Sequence, residues 1–231
     1  MKVLHVLNSK IYSGAEKVAS QIIKDFEDEM TLAYCSPESD MVDQMLAEQN
    51  IRHITVKNLL PWNLKKVLRQ EQPDLIHAHD MRATLMSALC CGKTPIVSHI
   101  HNNAFDARGL TLKSIGYLYG GLKSKKIIWV SNSAFEGYFF HNLFRKKSVV
   151  LYNIIDEKQI HEKVAKDPNS YDFDMIFLGR LTYPKNPQRL MKLCRILKDN
   201  TLGSDDFLSS FRLDFDKSQT ELFAHVLIEF L

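Results

Sequence analysis

Short runs of β-branched and apolar residues recur along the chain, and stretches of helical period separate most of them. The runs are KVLHVLN (2–8), MTLAYC (30–35), IRHITV (51–56), DLIHAH (74–79), TPIVSHIH (94–101), KIIWVS (126–131), SVVLYN (148–153) and DFDMIFLG (172–179). Strands alternating with helices pair most simply as parallel neighbours, since each parallel connection must cross back over the sheet. The pattern therefore predicts an α/β fold, a doubly wound parallel sheet with helices on both faces. Three helix starts carry a mechanism. Ser13 and Glu16 have capping-box spacing ahead of an apolar stripe of Ala15, Val18, Ala19, Ile22, Ile23 and Phe26. Ser133 and Glu136 repeat that spacing ahead of Phe135, Tyr138, Phe139 and Leu143, and Asn186 precedes Pro187, which suits a first helical position.

The polar stretch 156–172 has little apolar period and reads as a short surface helix and connector. The expected organisation is a first domain over 1–155, a linker over 156–171 and a second domain over 172–231. That second domain opens with one strand and one helix, then loses its pattern. A single βα unit cannot bury both faces of a parallel strand, so the second α/β domain is expected to be incomplete.

A chain of 231 residues, 45% hydrophobic and 25% charged, has the composition of a water-soluble globular protein. Its formal charge of +3 is too small to argue for nucleic acid as a partner. The apolar runs fall far short of the roughly 20 residues that cross a bilayer, and His5, Asn8 and Lys10 interrupt the start too early for a secretion signal. A cytoplasmic location is expected. Cys35, Cys90, Cys91 and Cys194 form no C-x-x-C pair, which suits a reducing compartment, and the adjacent Cys90 and Cys91 read as core.

Open parallel sheets bind ligands beyond the carboxyl ends of their strands. His77 and His79 close one strand there and His99 and His101 close the next, each pair on one strand face. Two His-x-His pairs with Asp80 as a nearby carboxylate could ligate zinc in a metal-dependent hydrolase. The competing reading, strongest for His77 and His99, is a neutral ring hydrogen-bonded at a strand end, which leaves His79 and His101 as the better functional candidates. In NSKIYSGAEK (8–17), Gly14 at a helix mouth could let backbone N–H groups approach a phosphate, or could simply ease the turn. In GRLTYPKNPQRL (179–190), Arg180 and Lys185 beside a helix start suit a diphosphate, against the alternative of solvated surface charges. The segments LKSKK (122–126) and FRKKS (144–148), with Tyr117, Tyr119, Phe139, Phe140 and Phe144 nearby, would hold the protein against anionic lipid if clustered; solvated helix ends are the alternative.

The succession SGAE, DLIHAHD, PIVSHIHNN, IIWVSNSA, VVLYNIID and FLGRLTYPKNP resembles glycosyltransferase family 4 over roughly residues 1–199. The resemblance implies a GT-B fold, two Rossmann-like domains facing across a cleft. The first would hold the acceptor and the second a nucleotide sugar. It implies that His101 is the catalytic histidine near the transferred sugar, that Gly14 lies in the loop by the donor phosphates, and that Arg180 and Lys185 neutralise the departing diphosphate. His79, His99 and Asn102 fall on the acceptor side. Glu221 and Glu229, in ELFAHVLIEF, match the glutamate pair that contacts the donor's sugar and ribose, although Leu222 stands where the family has glycine and Ile154 replaces the glycine expected after Asn153. Only about forty residues separate Arg180 from Glu221, which again implies an abridged second domain. The implied activity is retaining transfer of a hexose from a nucleotide sugar to a capsule, exopolysaccharide or lipopolysaccharide acceptor, with no metal or cofactor, at the inner face of the cell membrane. A non-catalytic remnant that binds acceptor or partner is the other expectation.

Overall fold

The computed structural model describes residues 1–102, 105–153, 157–168 and 186–201. The chain divides into two compact units, Met1–Ile155 and Asp156–Leu231. The first unit is built on a seven-stranded sheet in the order β3-β2-β1-β4-β5-β6-β7. Its strands are β1 (Lys2–Val6), β2 (Thr31–Pro37), β3 (His53–Val56), β4 (Leu75–Ala78), β5 (Ile96–Ile100), β6 (Lys126–Trp129) and β7 (Ser148–Val150), and every pairing is parallel. The α/β prediction is met, and each expected strand in this unit is present. The order runs outward from β1 in both directions, so the sheet has a topological switch point between β1 and β4.

Side-chain parity sorts the two faces. Leu4, Val6, Ile76, Ala78 and Ile96 pack with Leu64, Val67 and Leu68 of α3 (Pro61–Glu71) and Ala83 and Ala88 of α4 (Met81–Cys90). On the opposite face Leu7 packs with Ala19 and Ile23 of α1 (Gly14–Asp25) and Val42 and Leu46 of α2 (Asp40–Ala47). A third cluster joins Tyr117 of α5 (Leu112–Lys123) to Ile127, Trp129, Tyr138 and Phe144. Two glycines in α5 allow close approach. A Cβ on Gly120 would sit 3.1 Å from the Leu85 backbone nitrogen, and one on Gly121 would sit 2.5 Å from Phe144 Cζ.

Several local expectations need correction. The second of the three helix starts is capped by Ser131, whose side chain accepts from Ala134 N–H, and not by Ser133. That helix, α6, covers only Asn132–Glu136, and the chain continues as a 3-10 helix over His141–Lys147. Helix α1 does start at the Ser13–Glu16 box, where Glu16 Oε2 accepts from Ser13 N–H at 2.9 Å, but it ends at Asp25 and leaves Phe26 exposed. Cys90 and Cys91 are half-buried at the end of α4 rather than in the core; no disulfide joins the four cysteines.

In the second unit, α7 (Glu157–Lys166) is an exposed polar helix, and α8 (Pro187–Thr201) begins at Pro187, with Arg189 N–H donating to Asn186 Oδ1 at 3.2 Å. The expected strand 172–179 lies outside the described residues. None of the described helices is long and apolar enough to cross a membrane.

Candidate active site

Five imidazoles meet at the switch point, on the face opposite α3 and α4. Parallel register sets His5 of β1 beside His77 of β4, and the alternation of each strand brings His79 and, from β5, His99 and His101 onto the same face. Neighbouring ring centroids lie 4.0–5.4 Å apart. Two contacts are hydrogen bonds, His5 Nδ1 to His79 Nε2 at 2.9 Å and His79 Nδ1 to His101 Nε2 at 3.0 Å. His77 Nε2, both ring nitrogens of His99 and His101 Nδ1 are buried with no partner among the described residues.

Burial decides the charge of these rings, because a cation in a dry site forfeits its hydration. His5 is pushed down to about 3, by burial first and then by His99. Burial takes His77 and His79 well below the ordinary histidine value and His99 to about 2. His101 falls to about 4, again by burial, with the nearby Glu16 carboxylate opposing the shift. At neutral pH the column is therefore an uncharged set of hydrogen-bonding rings. It suits hydroxyl groups and offers no cation to a phosphate.

The expected residues take distinct places. His101 is half-buried just past β5, and Asn102 beside it is exposed. His79 and His99 are almost fully buried, so neither offers surface to an acceptor, and His79 reaches outward through its hydrogen bond to His101. Gly14 is the first residue of α1 with open space where a Cβ would be, and its helix mouth already carries the Glu16 carboxylate. Asp80, the proposed zinc carboxylate, is otherwise engaged: it caps α4 by accepting from Ala83 N–H at 2.5 Å and braces the turn after β1 by accepting from Asn8 N–H at 3.2 Å. His5 is the member that sequence reading missed. Its signal is a matching parity with DLIHAH that becomes visible only when β1 is laid beside β4. Arg180, Lys185, Glu221 and Glu229 lie outside the described residues.

The two basic segments do converge. Lys147 Nζ donates to the carbonyls of Gly121, Leu122 and Ser124 at 2.5, 3.1 and 3.0 Å, and Phe144 packs on Gly121, which fixes the 3-10 helix against the end of α5. Leu112, Ile115, Tyr119 and Leu122 form an exposed stripe along α5, with Leu143 and Phe139 also exposed. Tyr117 and Phe144, expected at that surface, are buried in the third cluster instead, and Phe140 is half-buried.

The family model of glycosyltransferase family 4 matches residues 46–159, which span the His77–His101 part of the site. Over those residues, just under half of its length, the chain is similar to glycosyltransferase family 4. A capsular polysaccharide biosynthesis glycosyltransferase, CapH of Staphylococcus aureus, is 25% identical over 236 aligned residues, covering 94% of this chain and 64% of CapH. HepE of Anabaena, solved in complex with UDP-glucose, superposes with a TM-score of 0.68 at 18% identity, over 84% of this chain and 57% of HepE. A glycosyltransferase of Rickettsia africae superposes at 0.53 with 16% identity, over 96% of this chain and 70% of that protein. The solved structures show a Rossmann-like fold of GT-B type, and the chain spans less than two thirds of the length of CapH and of HepE.

Proposed function

We propose that the protein serves polysaccharide biosynthesis as a retaining glycosyltransferase, moving a hexose from a nucleotide sugar to a cell-surface glycan acceptor, with capsule suggested by the likeness to CapH. The observation that carries this reading is the neutral histidine column ending at His101, beyond the carboxyl ends of β1, β4 and β5. Uncharged imidazoles distinguish sugar hydroxyls without competing for phosphate. In this reading the negative charge that develops on the leaving diphosphate falls to Arg180 and Lys185, whose positive charges would stabilise it. Gly14, with open space where a Cβ would be, belongs in this reading to the loop by the donor phosphates, while Glu221 and Glu229 would contact the donor's sugar and ribose. HepE, solved with UDP and with UDP-glucose, supports a uridine nucleotide as the first donor to try. No step in this scheme draws on a metal.

Incubation with UDP- and GDP-sugars is expected to show slow donor hydrolysis, unchanged by a chelator and abolished in Arg180→Ala. His101→Ala should lower it by about 100-fold, the scale of losing one preorganised hydrogen-bonding group. A protein that neither binds nor hydrolyses any donor overturns the reading.

The same reading locates the protein on the inner face of the cell membrane, where a lipid-linked acceptor is presented. The exposed stripe of α5 beside Lys123, Lys125, Arg145 and Lys146 supports this, because apolar insertion and attraction of basic side chains to anionic headgroups act together, at about 1 kcal/mol per basic residue. Co-sedimentation with anionic vesicles at low salt, reduced in Leu122→Glu, is the expected result; binding equal to that on neutral vesicles would exclude it.

A further inference from the structure

The histidine column contains a directional chain. A neutral imidazole has one N–H and one lone pair, so a ring bonded through both nitrogens must donate at one and accept at the other. His79 is such a ring, with His5 Nδ1 at its Nε2 and His101 Nε2 at its Nδ1. Two arrays satisfy both contacts. In one, all three rings carry the proton on Nδ1, and His101 presents an N–H at its free Nδ1. In the other, all three carry it on Nε2, and His101 presents a lone pair there. Any mixed set would bring two N–H groups or two lone pairs face to face at 2.9 or 3.0 Å.

We propose that His5 and His79 are positioning residues that fix, as one unit with His101, whether the buried and unpartnered His101 Nδ1 atom is a donor or an acceptor toward a sugar hydroxyl that reaches it in the occupied site. The proposal rests on the glycosyltransferase reading for its ligand, but the coupled array itself does not. Charging any one ring would break the alternation, and burial opposes that for all three. The selectivity that follows is chemical. A buried partner of fixed polarity rejects a group of the wrong polarity more strongly than an apolar wall would, since the mismatch leaves both groups unpaired.

The same rings could be taken for a chelate, because His5, His77 and His79, and likewise His79, His99 and His101, have ligand atoms within 4.8 Å of one another. The geometry favours protons. His79 belongs to both groups, and each of its nitrogens is already engaged by a neighbouring ring, at 2.9 Å by His5 and at 3.0 Å by His101. Contacts of this length are N–H···N hydrogen bonds, and a nitrogen that shares a proton with its neighbour has no lone pair left to give an ion.

Long-range proton–nitrogen NMR of the full chain, labelled with 15N-histidine at pH 7.5, reads the tautomer of each ring. The expected wild-type result is the same tautomer at His5, His79 and His101. His5→Phe keeps a ring but removes the inner partner. The widely separated nitrogen shifts of His79 and His101 should then exchange or collapse together toward an average. His5→Asn restores an amide near the Nδ1 position and should restore the single pattern. A mixed set of tautomers in the wild type or in His5→Asn overturns the proposal, as does an unchanged His101 in a folded His5→Phe. Stoichiometric metal in the purified protein overturns it too. These readouts need no donor, so failure of the array leaves the glycosyltransferase reading standing, and failure to bind any UDP- or GDP-sugar leaves the array standing.

Discussion

Two buried aromatic clusters share the sheet and are built on opposite terms. Around Trp129 every polar ring atom has a partner: Trp129 Nε1 donates to Ser148 Oγ at 2.9 Å, Tyr138 Oη to the Ser114 carbonyl at 2.8 Å, and Tyr117 Oη lies 3.0 Å from Ser98 Oγ. Around His79 the rings stack as closely, yet four buried nitrogens stay unpartnered among the described residues. Burying polar atoms without partners costs stability, and a fold tolerates that where the atoms have work with a ligand. The satisfied cluster is thus the packing centre of its half of the sheet, and the unsatisfied one is the candidate site.

Acid should separate the two most sharply. The histidines have folded-state pKa values below those of the unfolded chain, so the unfolded chain binds more protons once pH drops below about 6.5. Stability is full above that value and falls as pH decreases toward about 4 for His101, about 3 for His5 and about 2 for His99. Each ring withholds at most about 1.4 kcal/mol per pH unit, and several acting together exceed the stability of an ordinary domain. Circular dichroism against pH is expected to show cooperative unfolding of the first domain between about pH 6 and pH 4. A fold that survives at pH 4 would mean that the rings are hydrated. The aromatic cluster contributes nothing to this transition, and its contribution appears at neutral pH instead. Phe144→Ala should cost about 3–5 kcal/mol in urea denaturation through the cavity it leaves, while leaving the acid midpoint governed by the same histidines.

How far this contrast was legible beforehand differs between the clusters. The parity of His77 with His79 and of His99 with His101 is written in two strand-end tripeptides, so four of the rings could be placed on one face. His5 could not, because a single histidine in KVLHV has no spacing of its own and its partners depend on β1 lying next to β4, a non-local fact. The aromatic cluster misled in the other direction. Tyr117 and Phe144 flank lysine-rich segments and looked like surface, but Gly120 and Gly121 let α4 and the 3-10 helix close over α5 and bury them. The cap of α6 was misplaced by two residues because WVSNSA offers both Ser131 and Ser133, and the choice follows from where β6 stops.

The smallest expected effect tests the contrast most directly, because it exchanges polar atoms for apolar ones of similar shape in both clusters. Tyr117→Phe removes the partner of Ser98 Oγ, which keeps only Thr84 Oγ1 at 2.8 Å, and should cost about 1 kcal/mol. His99→Phe removes two nitrogens that bond to nothing described, so the dehydration penalty disappears with them, and the change should be neutral or stabilising by up to about 1 kcal/mol at pH 7.5. It should also shift the acid midpoint downward, since one fewer buried ring awaits a proton. Paired urea titrations at pH 7.5 and pH 5.5 measure both effects. If His99→Phe costs as much as Tyr117→Phe, the histidine rings are as well satisfied as the tyrosine, and their orphaned nitrogens no longer distinguish the site from the core.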